Sequence, residues 1–429
     1  IKMKIRTDPS DKEIYFWNLL GNLAASGVSV LYLLIITRLS SAKVADQFSL
    51  ANSIGTLWIV IGLFQVRNYQ GTDVKQRHSF IGYFQTRILT ITIMILTLFP
   101  YLYIIGEGRY SLETLLLTFL MILYRMWDAV SDLFQGLFQQ RERMDIAGKT
   151  MFIRYSTSVL VLLITLLLSE SVLLALLSLV MWNGLLIFFY EMRFVAYFEK
   201  IQVRELLSTR YKKDIKDILL AFWRLFVNGF ILLYILNEPK IIIEKGLNQG
   251  FLQTGMQRDF NILFMPVFFM SLIILIVRPL ITKLAILWNK KEYKEFSLII
   301  KRLLGFLSLG GLFVTFIAYL FGVPVLSLIF GVDLNKYVLP FTILIFSGVL
   351  YALAIVFENI LTIIRKQHIL VGLYIILLIL TKLITEPFIY QKGMLGAAIS
   401  FFIVTLVYLF GIASIYFLAS RDKGSKNEI

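Results

Sequence analysis

The chain has 429 residues, of which 58% are hydrophobic and only 16% are charged, and its mean hydropathy is +0.79. Soluble domains carry roughly 25% charged residues, so this composition excludes a water-soluble globular fold. The apolar residues occur in long runs, and about 20 such residues cross the ~30 Å hydrocarbon core of a bilayer. We therefore predict a polytopic membrane protein.

The other totals exclude several classes of site. The chain has no cysteine and two histidines, so disulfides, thiolate nucleophiles and an ordinary zinc site are not expected. The formal net charge is +15, but the basic residues lie in short connections between apolar runs, where they indicate topology rather than nucleic-acid binding. We expect no metal, no cofactor and no nucleic-acid partner.

Apolar runs between charged or Gly/Pro residues predict twelve transmembrane helices, since open strands leave backbone groups unpaired in lipid. In chain order, these spans cover residues 15–37, 44–66, 80–104, 112–138, 151–168, 172–192, 218–236, 262–284, 303–321, 340–364, 369–389 and 395–419.

The distribution of lysine and arginine predicts that both termini are cytoplasmic, because most of these residues then fall in cytoplasmic connections. The longest cytoplasmic connection, 193–217, is predicted to be an amphipathic helix at the membrane surface. It divides the chain into an N-terminal lobe at 1–200 and a C-terminal lobe at 201–429, each with six spans. The longest outside connection is 237–261.

The fourth span carries the most informative charges. Arg125, Asp128 and Asp132 are spaced i, i+3 and i+7, which places them on one helical face. Because the two carboxylates repel each other, we expect one of them to bind a proton or a cation, while Arg125 can hold an anion. The alternative is an ion cluster that satisfies itself and only packs the helix against a neighbour.

Other polar residues within the spans have two interpretations each. Asn18 and Asn22, in a stripe with Ser26 and Ser29, either contact a substrate or hold helices together. Lys382 either binds a substrate or forms a neutral i,i+4 pair with Glu386.

Three further arginines lie near predicted cytoplasmic helix ends. We expect Arg87, Arg224 and Arg278 to extend to the interface. Pro266 and Pro279 should bend the eighth span. Gly148, Lys149 and Thr150 resemble the end of a phosphate-binding loop, but the connection joins two membrane helices, so nucleotide hydrolysis is not expected.

Two segments carry a family resemblance. Residues 124–150 contain an acidic residue, a Ser-Asp pair, a Gly, a Gln and an Arg-x-Asp-x-x-Gly run, namely Asp128, Ser131, Asp132, Gly136, Gln139, Arg143, Asp145 and Gly148. This stretch resembles bacterial polysaccharide flippases (Wzx-type oligosaccharide-lipid translocases). A second stretch, 237–296, resembles the capsule and cell-wall branch of that family. Residues 38–43 depart from the Gly-Pro and Tyr-Gly turn found in many members.

The resemblance implies a fold of the multidrug/oligosaccharidyl-lipid/polysaccharide (MOP) superfamily, with two six-helix lobes around a central cavity. It implies a cargo of polyprenyl-pyrophosphate-linked oligosaccharide, moved to the outer leaflet of the bacterial plasma membrane for capsule or lipopolysaccharide biosynthesis. The implied partners are membrane lipids and the polymerase and glycosyltransferases of the same pathway. For the pyrophosphate, cationic candidates are Arg38, Arg125, Lys240 and Lys382. For the sugars, Asn18 and Asn22 are available.

Two other functions are open. The first is a cation-coupled multidrug exporter of the same superfamily, although basic residues within the spans favour an anionic cargo. The second is a membrane polysaccharide polymerase or glycosyltransferase, although no outside loop carries paired carboxylates. We predict a transporter rather than an enzyme, with Asp128 and Asp132 as the candidates for ion coupling.

Overall fold

The computed structural model describes residues 9–70, 77–106, 110–200, 203–206, 208–271, 280, 283–284, 286–364, 366 and 369–424. Every secondary-structure element in these ranges is helical. This confirms the all-α fold class that the apolar sequence predicts.

The first ten α-helices extend to residue 248. They are α1 (Asp11–Leu39), α2 (Ala42–Leu63), α3 (Val66–Gln70), α4 (Phe80–Gly106), α5 (Leu112–Gln140), α6 (Met144–Ser169), α7 (Val172–Leu186), α8 (Met192–Phe198), α9 (Val203–Leu206) and α10 (Lys212–Asn248). A π-helical segment, Ile187–Glu191, joins α7 to α8. The three form one continuous span.

Five further α-helices follow. They are α11 (Met256–Ser271), α12 (Tyr293–Ile317), α13 (Val323–Phe330), α14 (Val338–Ile363) and α15 (Leu370–Gly424). A second π-helical segment, Ala318–Gly322, joins α12 to α13. Within α15, Gly393 has φ 56° and ψ −128°, a left-handed conformation that glycine adopts readily. The break divides α15 into two helices.

Among the described residues, ten helices are long and apolar enough to cross a membrane. The chain is thus a multi-pass membrane protein. The break at Gly393 divides the last of these helices into the two predicted spans 369–389 and 395–419. The predicted span 262–284 begins in α11 and continues outside the described residues, where Arg278 and Pro279 also lie. Pro266 is inside α11.

Serine residues begin several of these helices. Ser10, Ser41, Ser111 and Ser171 each accept a hydrogen bond from the backbone N–H three residues further along, which satisfies a donor that the helix leaves free. Because Ser41 caps α2 directly after Ser40 ends α1, two residues suffice to turn the chain between these helices.

Two predicted connections differ from the structure. Residues 237–248, predicted to lie in an outside connection, continue α10, so that only 249–255 separate it from α11. Glu238 and Glu244 there are 1% and 5% exposed. The predicted surface helix at 193–217 is wrong as a single element, because its described parts belong to α8, α9 and α10 with breaks between them.

A close approach of α1 and α6 depends on glycine. A Cβ atom on Gly148 would clash with the backbone of Trp17, and one on Gly21 would lie 2.6 Å from the carbonyl oxygen of Gly148. Since α6 begins at Met144, Gly148, Lys149 and Thr150 lie within a helix. The sequence predicted a connection at these residues, and this prediction is wrong. Within a helix they do not form a phosphate-binding loop.

The chain divides into two compact units, Ile1–Phe230 and Ile231–Ile429. The boundary falls within α10, later than the predicted lobe boundary at 200/201. The lobes at 1–200 and 201–429 and the central cavity stay predictions. The two units are described separately below.

Candidate functional site: charged residues within the membrane helices

The predicted charged face of α5 contributes to a buried cluster in the first unit. Arg125 Nη1 donates to Asp128 Oδ2 at 3.0 Å. Its Nη2 donates to Ser29 Oγ of α1 at 3.2 Å and to Asn52 Oδ1 of α2 at 3.1 Å. The Arg125 side chain is 11% exposed. Arg125 thus connects three helices through one carboxylate and two neutral groups.

The second oxygen of Asp128 contacts an arginine that the sequence analysis did not identify. Arg154 of α6 donates from Nη1 to Asp128 Oδ1 at 2.6 Å, and the Tyr155 hydroxyl donates to the same oxygen at 3.0 Å. Arg154 also contacts Asn183 Oδ1 of α7 at 3.2 Å. Arg154 lies three residues inside the predicted span 151–168. This position indicates a charge within the membrane rather than in a connection.

Glu191 completes this cluster from the π-helical segment after α7. Its Oε1 lies 3.4 Å from Arg154 Nε, and both side chains are 1% exposed. The sequence placed it at the end of a predicted span. We call Arg125, Asp128, Arg154 and Glu191 the Arg125 cluster.

Asp132 belongs to a second cluster. Arg87 Nη2 of α4 lies 2.7 Å from Asp132 Oδ2, and Arg67 Nη1 of α3 lies 3.4 Å from Oδ1. Arg67 also donates to Gln135 at 2.6 Å. Because Arg87 is 1% exposed, the prediction that it extends to the interface is wrong. We call Asp132, Arg87 and Arg67 the Asp132 cluster.

The two aspartates of α5 therefore contact different arginines. Asp128 shares its charge with Arg125 and Arg154, and Asp132 shares its charge with Arg87 and Arg67. The arginines beside each aspartate offset the repulsion between the two carboxylates. That repulsion was the reason for expecting one of them to bind a proton or a cation. An ion-coupling role for Asp128 and Asp132 stays a prediction.

The Arg-x-Asp-x-x-Gly run at the start of α6 has a structural role in this unit. Arg143 Nε and Nη2 donate to the two carboxylate oxygens of Asp145 at 2.8 and 2.9 Å, an arrangement typical of strong charge-assisted pairs. Donation of these hydrogen bonds to the Asp145 carboxylate raises the pKa of the Arg143 guanidinium above its ordinary value. The pair lies in the first turn of α6, one turn before Gly148.

The polar stripe of α1 is only partly in contact with these clusters. Ser29 contacts Arg125, whereas Asn22 Nδ2 donates to the backbone oxygen and Oδ1 of Asn18 at 2.7 and 2.8 Å within the same helix. Arg38 is exposed in the last turn of α1. The substrate roles of Asn18, Asn22 and Arg38 stay predictions.

Lys382 lies in the second unit and does not pair with Glu386. Its Nζ contacts Glu238 Oε1 at 2.9 Å and the Tyr234 hydroxyl, while Glu386 contacts Lys245 Nζ at 2.8 Å. The i,i+4 pair between Lys382 and Glu386, one of the two interpretations of the sequence, does not form. Because α10 continues to residue 248, its residues Glu238 and Lys245 lie beside α15 and pair with Lys382 and Glu386 instead.

Lys240 is also buried in the second unit, on α10. It is 9% exposed, and its Nζ lies 5.0 Å from the centre of the Phe264 ring of α11. Such a cation–π contact compensates only partly for the lost hydration of an ammonium group. In the part of the chain that the structure describes, no three acidic or histidine side chains converge as metal ligands.

Solved structures with this arrangement of helices are transporters of one fold. A multidrug resistance MATE family transporter of the MOP superfamily, in an inward-facing conformation, matches with a TM-score of 0.65 and 12% identity, covering 94% of this chain and 96% of the other. A mutant of the Vibrio cholerae MATE transporter VcmN matches with a TM-score of 0.59 and 13% identity, covering 96% and 97%. The chain has the MATE fold.

A third MATE-fold structure is a MOP superfamily transporter from Pyrococcus furiosus, in which a reversed polarity of the binding pocket suggests a different function. It matches with a TM-score of 0.50 and 13% identity over 95% of this chain and 96% of the other. No protein-family model and no curated protein matches this sequence. At these identities the comparisons establish the fold alone, which confirms the predicted MOP-type architecture.

Proposed function

We propose that this MATE-fold protein is a flippase in the bacterial plasma membrane. It moves a polyprenyl-pyrophosphate-linked oligosaccharide from the inner to the outer leaflet, by alternating access and with an ion gradient as the energy source, for capsule or other surface polysaccharide. The membrane-spanning fold and the resemblance of residues 124–150 to polysaccharide flippases support this proposal.

Arg125 is the observation that carries the proposal. Its guanidinium lies in the interior of a membrane span and donates hydrogen bonds to the Asp128 carboxylate and to the neutral oxygens of Ser29 and Asn52. An anionic oxygen of a cargo is a stronger acceptor for a guanidinium than a hydroxyl or an amide. Arg125 can therefore exchange these neutral contacts for a phosphate while Asp128 holds it in place.

The balance of charge in the first unit also favours an anionic cargo. In the Arg125 and Asp132 clusters, four guanidiniums meet three carboxylates, which leaves one positive charge in excess. A cationic drug would be repelled by this excess, whereas a pyrophosphate would be attracted.

The alternative is a cation-coupled multidrug exporter, and the structure with a TM-score of 0.65 is that of a multidrug resistance MATE family transporter. The same fold accepts pockets of different polarity, as the description of the Pyrococcus furiosus transporter indicates for that protein. The choice between the two functions therefore depends on the charge of the cargo.

A flipping assay in vesicles tests the cargo directly. The purified protein is reconstituted with a fluorescent short-chain polyprenyl-pyrophosphate oligosaccharide, and the accessible fraction is followed with a membrane-impermeant quencher. Loss of a hydrogen bond to a charged group is worth about 1.5–3 kcal/mol, so Arg125→Gln should slow flipping by roughly 10-fold to 100-fold. Arg125→Lys should retain part of the rate, because it keeps the charge and loses the planar fork.

Arg141→Gln is the matched control. Arg141 pairs with Glu199 at 2.7 Å, but these side chains are 33% and 31% exposed, so this variant should flip at the wild-type rate. A full rate for Arg125→Gln would exclude the anion-binding role of Arg125. Transport of a cationic dye without flipping of the lipid-linked oligosaccharide would instead establish the exporter function.

A further inference from the structure

A carboxyl group in the second unit has tyrosines as its neighbours. Glu358 lies on α14, and the Tyr408 hydroxyl of α15 donates to its Oε2 at 3.0 Å. The ring of Tyr408 lies 6.0 Å from that of Tyr374 and 6.2 Å from that of Tyr351. Tyr374 and Tyr408 are 1% and 2% exposed, whereas Glu358 is half-buried.

No lysine or arginine among the described residues forms an ion pair with Glu358. This distinguishes it from four other carboxylates within the helices, each of which contacts a cation. They are Asp128, Asp132, Glu238 and Glu386. A carboxylate that loses hydration without a cationic partner is unfavourable in a membrane, and such a group is neutralised by binding a proton.

Among the described residues, the elements packed against α14 supply no cationic partner for Glu358. From α12, Lys301 and Arg302 are exposed. From α11, Arg258 and Asp259 pair with each other at 2.7 Å in the first turn of that helix. The segments 318–322 and 335–337 lie at the opposite end of α14, where Phe341 contacts Gly322.

On the part of α15 whose side chains the structure describes, Lys382 and Glu386 have partners elsewhere. Lys382 and Glu386 lie at least two turns beyond Tyr374 and contact Glu238 and Lys245 respectively. On α14 itself, Tyr351 and Glu358 are the titratable residues.

From this geometry we propose that Glu358 is a proton-binding site of the second unit. In the protonated state the carboxyl group has an O–H donor in addition to its acceptor oxygens. The adjacent Tyr374 hydroxyl is buried and interacts with Glu358 and Tyr408, and its oxygen is an acceptor within reach of that donor. The proton comes from water and returns to water, and only the O–H bond of the carboxyl forms and breaks.

The inference rests on the proposed transport function and adds a second candidate for ion coupling to Asp128 and Asp132. A proton at Glu358 biases the transport cycle if the carboxyl binds it more tightly in one conformation than in the other. The half-buried position of Glu358 is suited to this, because a modest movement of α14 against α15 changes its contact with water.

Infrared difference spectroscopy of the purified protein in lipid tests the site without any cargo. Between high and low pH, the wild type should show the carbonyl stretches of its protonated carboxyl groups, and the component that belongs to Glu358 should be lost in Glu358→Gln. Glu386→Gln is the matched control, because Glu386 is held by Lys245, and it should retain the band. Tyr408→Phe should retain the band and shift its frequency, since it removes one hydrogen bond.

Identical spectra for the wild type and Glu358→Gln would overturn the proposal. It would also be overturned if added sodium at constant pH removed the band, because the site would then bind a metal cation. If Glu358→Gln does not fold, the frequency shift in Tyr408→Phe decides, and an unshifted band refutes the assignment. A titrating band in a protein that flips no oligosaccharide would refute the proposed function and leave the proton site standing.

Discussion

Arg154 is the residue whose replacement should have the largest effect on stability. Its side chain is 1% exposed and lies between Asp128 at 2.6 Å and Glu191 at 3.4 Å. In Arg154→Met, the chain retains an unbranched side chain of similar length, but Glu191 loses the guanidinium beside it. Removing one partner of a buried ion pair typically destabilises a protein by about 3–5 kcal/mol, which raises the unfolding constant by a factor of roughly 100 to several thousand.

The measurement is equilibrium unfolding in mixed detergent micelles. Arg141→Met serves as the control, because its exposed pair with Glu199 should contribute at most about 1 kcal/mol. Adding Glu191→Gln to Arg154→Met should recover part of the loss, since the buried negative charge is then removed with its partner. We expect the coupling between the two substitutions to be about 0.5–3 kcal/mol.

Two results would refute this reasoning. One is an Arg154→Met variant whose free energy of unfolding falls by no more than that of Arg141→Met. The other is a double variant with Glu191→Gln whose loss equals the sum of the two single losses. Either result would mean that the Arg125 cluster does not depend on the contact between Arg154 and Glu191.

Three further predictions address packing, topology and coupling. Gly148→Ala should lower the free energy of unfolding by about 1–3 kcal/mol, because the added methyl group forces α1 and α6 apart. The control is Gly27→Ala, where no atom lies within 4 Å of the added methyl group, and this variant should raise the free energy of unfolding by about 0.5–1 kcal/mol. Equal effects of the two substitutions would contradict the packing argument. The chain has no cysteine, so single cysteines can be introduced to test the topology. Phe251→Cys should react with an impermeant thiol reagent in intact cells, because this side chain is 68% exposed, whereas Lys213→Cys should not react. The reverse labelling pattern would show that the predicted orientation is wrong. Asp132→Asn should abolish the response of reconstituted flipping to an imposed proton or sodium gradient, and a wild-type response would limit this residue to a structural role.

The sequence alone determined the membrane class and most of the helical spans. The bilayer requires long apolar helices, and this requirement is visible in composition and in the positions of charged residues. The common face of Arg125, Asp128 and Asp132 was also predictable, because helical periodicity sets which residues of one helix share a face. The departures were near helix ends, where the charges of α10 suggested an aqueous connection although Lys382 and Glu386 of α15 pair with two of them.

The tertiary structure decided which charges meet. No periodicity predicts that Arg154 contacts Asp128, or that Arg87 lies against Asp132, because each of these contacts joins two different helices. The pairing of Lys382 with a residue of α10 likewise required the packing of two helices. A sequence records which groups are costly to bury, but the partner that compensates each group is determined by how the helices pack, since an ion pair acts over only a few ångströms.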